Sequence, residues 1–334
     1  MNPRDIPENI LLREYESRYK MRKEQKFVSV VAYVYNDDKL IRAFLEHTML
    51  KCRESFEKCE LILVDDNSSD RSVDQIHSYF EENPADYMVS IVKLGLRQGI
   101  ESAMNIGRDM AIGDYVYEFD DLHTDYPADM IMKAYENCLE GNDIVAVTGT
   151  YKVRLTSRVF YSLYNRFSHS QYPIGPETFR LLSRRAINRI KSVGRYVPYR
   201  KAVYMNCGLK ACHLTYDVTQ EQRRNYRKGR RDERMNLAMD SFIYFTDIME
   251  RVSLGTCVFF SLLALGVIVY TIWSYFMDQH LASGWVSLMG FLSLGFIGIF
   301  GIMTIVLRYL GVLINLTYKQ QHHMIEDIEK ISGN

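Results

Sequence analysis

Between residues 27 and 150 the hydrophobic pattern switches repeatedly between two periods. "FVSVVAYVY" (27–35), "CELILVDD" (59–66), "YMVSIVKL" (87–94), "DYVYEFD" (114–120) and "DIVAVTG" (143–149) are short apolar runs rich in β-branched and aromatic residues, and they predict strands. The stretches between them, 38–55, 70–83, 98–112 and 128–140, predict helices. Strands alternating with helices predict an α/β fold built on a mostly parallel, Rossmann-like sheet covered on both faces. In such sheets ligands bind beyond the carboxyl ends of the strands. The polar clusters fall at those ends: "YNDD" after the first strand, "DDNSSD" at the second and "DDLHTD" at the fourth.

The third helical stretch carries Gly99, Ala103, Gly107 and Ala111, small residues at every fourth position. They make a smooth stripe along one face. Such a stripe suits close packing on the sheet and leaves room for a ligand near the helix start. Residues 151–236 are mixed and less regular, and no internal repeat or low-complexity tract occurs.

Two stretches, Val252–Met277 and Leu281–Leu307, contain no charged residue. Each exceeds the roughly 20 apolar residues that cross a bilayer. The linker "DQHLASG" has no Lys or Arg, whereas "RRNYRKGRRDER" and Arg251 precede the pair and Arg308 and Lys319 follow it. Positive charge stays inside, so both termini are expected in the cytosol. The charged N-terminus lacks an apolar signal core, so residues 1–250 are expected there too. "DSFIYFTDIMERVS" (240–253) places apolar residues at helical spacing and predicts a helix lying in the membrane interface. The expected organisation is a charged extension (1–26), a cytosolic domain (27–236), an interface helix (237–251), crossings at 252–277 and 281–310, and a cytosolic tail (311–334).

The 334 residues carry 41 basic and 41 acidic side chains, so net charge gives no bias toward nucleic acid. The six cysteines follow no metal-ligand spacing and read as reduced structural thiols. Three acidic strand ends along one sheet edge repel each other unless something positive sits among them. A magnesium or manganese ion, or a ligand bearing donor groups such as a nucleotide base and ribose, is the natural filler. Asp66 to Asp70 can also cap the helix from Arg71 on, and Asp125 the helix opened by Pro127. Caps are expected from Asp70 and Asp125, ligand contact from Asp66 and Asp120, and a turn role from His123.

"VSVVAYVYNDD", "LILVDDNSSD" and "GDYVYEFDD", in this order and spacing, resemble the nucleotide-binding half of family 2 glycosyltransferases, which have the GT-A fold. "RQGIESAMNIGRDMAIGD" resembles the helix that this family places before its metal strand. "TFRLLSRRAI" (178–187) and the two C-terminal crossings resemble the polyprenyl-phosphate subgroup, whose members include dolichyl-phosphate mannose synthase. The resemblance implies that Tyr33, Tyr35 and Asp37 lie beside the nucleotide base and that Asp66 hydrogen-bonds it. It implies that Asp120 is the first acid of an Asp-x-Asp motif holding Mg2+ or Mn2+ and the sugar nucleotide, and that Arg180 lines the acceptor pocket. Arg224 and Gly229 fall in a stretch resembling a mobile phosphate-closing loop.

The chain departs from the pattern. Tyr33 stands where the family usually has proline and Arg97 where it often has asparagine. Leu122 stands at the second acid of Asp-x-Asp, and Thr124 at a frequent third ligand position. Asp121 can supply the missing carboxylate, with His123 or Asp125 assisting; alternatively the metal is weakly held. The basic run 223–231, with Arg224, Arg227 and Arg231, reads either as an anionic-lipid patch or as a loop neutralising lipid phosphate and diphosphate. Arg154 and Arg158 are further candidates for that work. The activity implied is transfer of a sugar from a nucleotide donor to a polyprenyl phosphate by a multi-pass inner-membrane protein able to form homo-oligomers. The alternatives are a hydroxyl acceptor and a nucleotide-sugar-binding scaffold.

Overall fold

The computed structural model describes residues 23–150, 155–167, 172–193, 199–218, 284–319 and 325–332, with isolated positions between 252 and 273. Arg154, Arg224, Arg227, Gly229, Arg231, the expected interface helix and most of the first expected crossing lie outside the described residues. The chain divides into two compact units, one of residues 1–152, 175–225 and 323–334, the other of 153–174 and 226–322.

The first unit holds an eight-stranded sheet. Its first half follows the predicted alternation. Strand β1 (Glu24–Val34) leads through a helical stretch α1, formed by Ile41–Phe44, a wider π-type segment Leu45–Met49 and Leu50–Ser55, into β2 (Phe56–Asp65). Then come α2 (Ser72–Glu82), β3 (Met88–Leu94), α3 (Ile100–Met110), β4 (Tyr115–Phe119), α4 (Asp129–Leu139) and β5 (Ile144–Gly149). β1 pairs in parallel with β2 and β4, and β2 with β3. Val28 to Val34 are buried without a break, as a central strand covered on both faces requires.

The second half adds strands that the hydrophobic pattern did not disclose. Beyond α5 (Leu155–Phe167), which belongs to the other unit, come β6 (Phe179–Ser183), α6 (Arg184–Val193), α7 (Arg200–Asn206) and β7 (Ala211–Tyr216). β6 runs antiparallel between β4 and β5, while β7 runs parallel to β5. After the long helix α8 (Gly284–Lys319), β8 (Ile325–Ser332) closes the other edge antiparallel to β3, giving the order β7-β5-β6-β4-β1-β2-β3-β8. The sheet is therefore mixed but mostly parallel, with only β6 and β8 running against the other strands. The segment expected as a tail is a strand: Val89 pairs with Ile331, Ile91 with Glu329 and Lys93 with Asp327, and the Lys93 ammonium meets Glu329 at 2.9 Å.

The small-residue stripe of α3 packs on the sheet. A methyl group on Gly107 would overlap Val31 and lie 2.8 Å from Val64 Cγ2. The missing side chain is what lets the helix approach this closely. Gly99, just before the helix, has φ of 87°, a left-handed conformation that glycine adopts without steric cost.

In the second unit, Asn165 of α5 brackets Ile174, accepting its amide at 2.9 Å and donating to its carbonyl at 3.0 Å. Within α8, Leu294–Leu313 is long and apolar enough to cross a membrane, and Ile299, Phe300 and Leu307 are exposed. Gly298 lies against the Phe260 ring, in space that any side chain would fill. Small residues serve this purpose where apolar helices meet.

Candidate functional site

The register of the parallel strands determines what meets at the carboxyl edge. Val34 is level with Asp65, and Ala32 with Phe119. Tyr35, Asp66 and Asp120 therefore emerge together just past the strand ends.

At the β1–β2 end the polar side chains bind the chain's own backbone. Asn36, with φ of 53°, accepts the Ser69 and Asp70 amides at 2.8 and 3.2 Å, and its amide donates to Ser68 Oγ at 3.0 Å. The Asp37 amide donates to Ser72 Oγ at 2.8 Å. Asp70 accepts the Ser72 amide at the start of α2 at 3.0 Å, the capping role expected of it. Asp66 is wholly buried: its oxygens accept the Gln98 amide (2.7 Å), the Gly99 amide (3.0 Å) and the Tyr33 hydroxyl (2.8 Å). It acts as a bracket for the loop that opens α3, and Tyr33 is drawn into that bracket. Tyr35 stays half-buried, with the Arg97 guanidinium 4.2 Å above its ring. Such a cation–π contact fixes a planar cation on an aromatic platform. Asp65, which the sequence reading passed over, is buried at the same edge, and burial pushes its carboxyl above the ordinary range.

At the end of β4 the charges are denser. Asp120 Oδ2 accepts from Arg180 Nη2 and Asp120 Oδ1 from Arg200 Nη2, both at 2.7 Å. Each guanidinium also reaches Glu118 Oε2, Arg180 at 3.2 Å and Arg200 at 2.8 Å. Arg180 Nε bonds Glu177 and Arg200 Nε bonds Glu101, both at 2.9 Å. Tyr204 donates to Glu118 Oε1 at 2.8 Å and accepts from Arg108 at 3.2 Å. The side chains of Arg200 and Glu118 are 0 % exposed, and Asp120 retains 14 %. Burial pushes the Asp120 carboxyl up, but the charges of Arg180 and Arg200 outweigh it and hold it well below the ordinary carboxylate range.

The turn after β4 is pinned separately. The Tyr126 hydroxyl meets Thr48 Oγ1 at 2.6 Å, and its carbonyl meets His47 Nε2 at 2.8 Å. Asp121 accepts the His123 amide at 3.1 Å and faces His123 Nδ1 at 3.2 Å. Asp125 accepts from the Tyr216 hydroxyl at 3.5 Å.

At the end of β4 the protein itself thus brings positive charge to Asp120. Both Asp120 oxygens hold guanidinium groups, Asp121 is bonded to its own turn, and among the described residues no three His, Cys, Asp or Glu side chains gather. Asp120 and Asp121, the pair expected to hold a divalent ion, here meet protein groups. Arg180, expected at the acceptor pocket, is buried in the cluster. Arg158 is an exposed residue of α5 in the second unit. Arg200, Glu101 and Glu177 escaped the sequence reading. Glu118 was the available signal, because an acid inside an apolar strand must find a buried cation, and Arg180 is its direct cross-strand partner.

A family profile described as "Glycosyl transferase family 2" matches residues 29–205, more than half of the chain. An uncharacterized glycosyltransferase of Synechocystis is 27% identical over 201 residues, 57% of this chain and 60% of that protein. The undecaprenyl-phosphate 4-deoxy-4-formamido-L-arabinose transferase of Pectobacterium carotovorum is 33% identical over 139 residues, 41% of this chain and 40% of that protein. Both matches span less than two thirds of the relative. The mannosyltransferase PcManGT from Pyrobaculum calidifontis, solved with GDP-Man and Mn2+, has a TM-score of 0.49 at 15% identity, covering 93% of this chain and 95% of that one.

A carboxyl whose folded pKa is depressed adds stability above its unfolded pKa, 3.8 for Asp120, and loses it as pH falls further. Asp120→Asn removes one charged partner from each of two buried guanidinium groups and should cost about 3–5 kcal/mol at pH 7. In denaturant titrations the gap to wild type should stay constant from pH 8 to pH 5 and shrink below about pH 4. A gap independent of pH down to about 2 would show that the pairing contributes nothing.

Proposed function

The chain belongs to glycosyl transferase family 2, and from that premise we propose that it moves a sugar from a nucleotide donor to a polyprenyl phosphate at a membrane surface. The observation carrying this reading is the carboxyl edge of the sheet, where Tyr35 and Arg97 lie at one strand end and Asp120 with its guanidinium pair at another. A nucleotide sugar has a planar base at one end and a reacting sugar at the other. The aromatic platform suits the base, and Asp120, the most exposed carboxylate of the buried cluster, suits hydroxyl groups of the sugar. The relatives named as undecaprenyl-phosphate transferases support the choice of acceptor.

The chemistry asks little of a general base. A phosphate monoester has a second pKa of about 6, so its oxygen is already anionic near pH 7. That oxygen attacks the anomeric carbon in line, the bond from this carbon to the diphosphate oxygen breaks, and the nucleoside diphosphate leaves with the electron pair. The anomeric centre inverts. Both reactants are anions, and we assign the basic run 223–231 with Arg224, Arg227 and Arg231, together with Arg154 and Arg158, to neutralising them. α5 contains no acidic residue, and its exposed Val159 and Leu163, one turn apart, sit beside Arg158. This composition suits a helix resting on an anionic lipid surface.

Sheet membership supports two membrane crossings. β8 lies after α8 in the chain but shares a sheet with strands that precede it. If Leu294–Leu313 crosses once, the chain must cross again before it, and Val252–Met277 is the uncharged stretch of sufficient length. The catalytic unit and both termini then lie in the cytosol, in a multi-pass protein of the inner membrane.

Membranes containing the protein, given labelled nucleotide sugars and polyprenyl phosphate, should form a mild-acid-labile labelled lipid. Label passing only to a hydroxyl acceptor would point to the other transferase class, and nucleotide binding without turnover to a scaffold. For the topology, a single cysteine at Ser283 should react with an impermeant maleimide on intact cells while one at Glu326 stays unlabelled. The reverse pattern, or labelling at both, contradicts two crossings.

A further inference from the structure

We propose that Arg200 is a positioning residue for Asp120, tying the end of β4 to the helix whose first turn adjoins the donor-side loop. The inference deepens the transferase reading and rests on it. Arg200 is fully buried, so it cannot meet substrate itself. What it holds is the carboxylate that retains exposure. Its Nη2 bonds Asp120 Oδ1 at 2.7 Å, while Arg180 takes the other oxygen at the same distance. With one guanidinium on each oxygen, the carboxylate cannot rotate without losing a charge-assisted bond, the stronger class of hydrogen bond.

The other end of Arg200 is anchored as firmly. Its backbone amide and its Nε both donate to Glu101 Oε2 at 2.9 Å. Glu101 lies in the first turn of α3, two residues after Gly99, and Asp66 grips the amides of Gln98 and Gly99. A continuous chain of short bonds therefore runs from Asp66 through the start of α3 and Arg200 to Asp120. Any displacement of the 97–99 loop is carried to the β4 carboxylate through a side chain with no slack.

The test uses the full-length protein in detergent or membranes. Misplacing a reacting group by about 1 Å costs roughly 100-fold in rate. Arg200→Gln should accordingly lower kcat about 100-fold while the nucleoside diphosphate Kd changes less than about threefold. Arg200→Lys keeps a cation near Asp120 and should recover about tenfold of the lost kcat. Because Arg200→Gln leaves an uncompensated buried carboxylate, the Arg200→Gln/Asp120→Asn double variant restores the charge balance and guards against simple misfolding. If Arg200 acts through Asp120, the double variant should be about as slow as Asp120→Asn alone. Additive losses, or a nucleotide affinity that falls in step with kcat, would overturn the proposal and leave the transferase reading standing. A wild-type protein that neither binds nucleotide nor transfers sugar would overturn both.

Discussion

Four buried or nearly buried carboxylates, Glu101, Glu118, Asp120 and Glu177, converge with Arg180 and Arg200 around the end of β4, and most of the first unit is arranged to make that possible. Burying such charges unpaired is prohibitive, and even paired they gain little over apolar packing. Their return is geometric. Glu118 faces Arg180 across the β4–β6 pairing, so the antiparallel insertion of β6 is also what delivers the first guanidinium. α7 delivers the second from its first residue. Without β6 beside β4, Glu118 would lose its cross-strand counterion.

The same edge shows two ways of using an aspartate at a strand end. Asp66 is consumed by its own chain: it fixes the loop that opens α3 and has no exposed surface. Asp120 is clamped by arginines yet remains partly exposed. The first makes the platform rigid, and the second gives it a negative group presented in a fixed orientation. Rigid placement of reacting groups is a major source of rate enhancement. A carboxylate held by two cations also stays ionised under all ordinary conditions.

The half of the fold carried by the parallel strands was legible because central strands and amphipathic helices leave opposite periodic marks. "VSVVAYV" and "LILV" admit no other reading, and β1 to β5 stand where those runs predicted. β6, β7 and β8 left weaker marks. "FRLLS" spans five residues, "ACHLTY" interleaves polar groups, and "IEDIEKIS" is charged, with its isoleucines three apart where a strand face needs two. The need for positive charge among the strand ends was legible as electrostatics, and the part of it that Arg200 carries was not. A divalent ion and an arginine answer the same demand, and Arg200 lies 80 residues from Asp120 with no local motif to link them. The roles expected of Asp66 and Asp70 diverged in the structure because capping and bracketing depend on which amides the fold brings near, and pattern alone does not encode that.

The central claim is that the carboxyl edge from Tyr35 to Asp120 is where the donor binds and that it moves as one body through Glu101 and Arg200. Hydrogen–deuterium exchange of the full-length protein, with and without saturating nucleoside diphosphate, tests this most directly. Slowed exchange in both 96–101 and 118–122 on adding nucleotide is the expected result. Protection confined to other regions, or reaching the first segment and never the second, would contradict it.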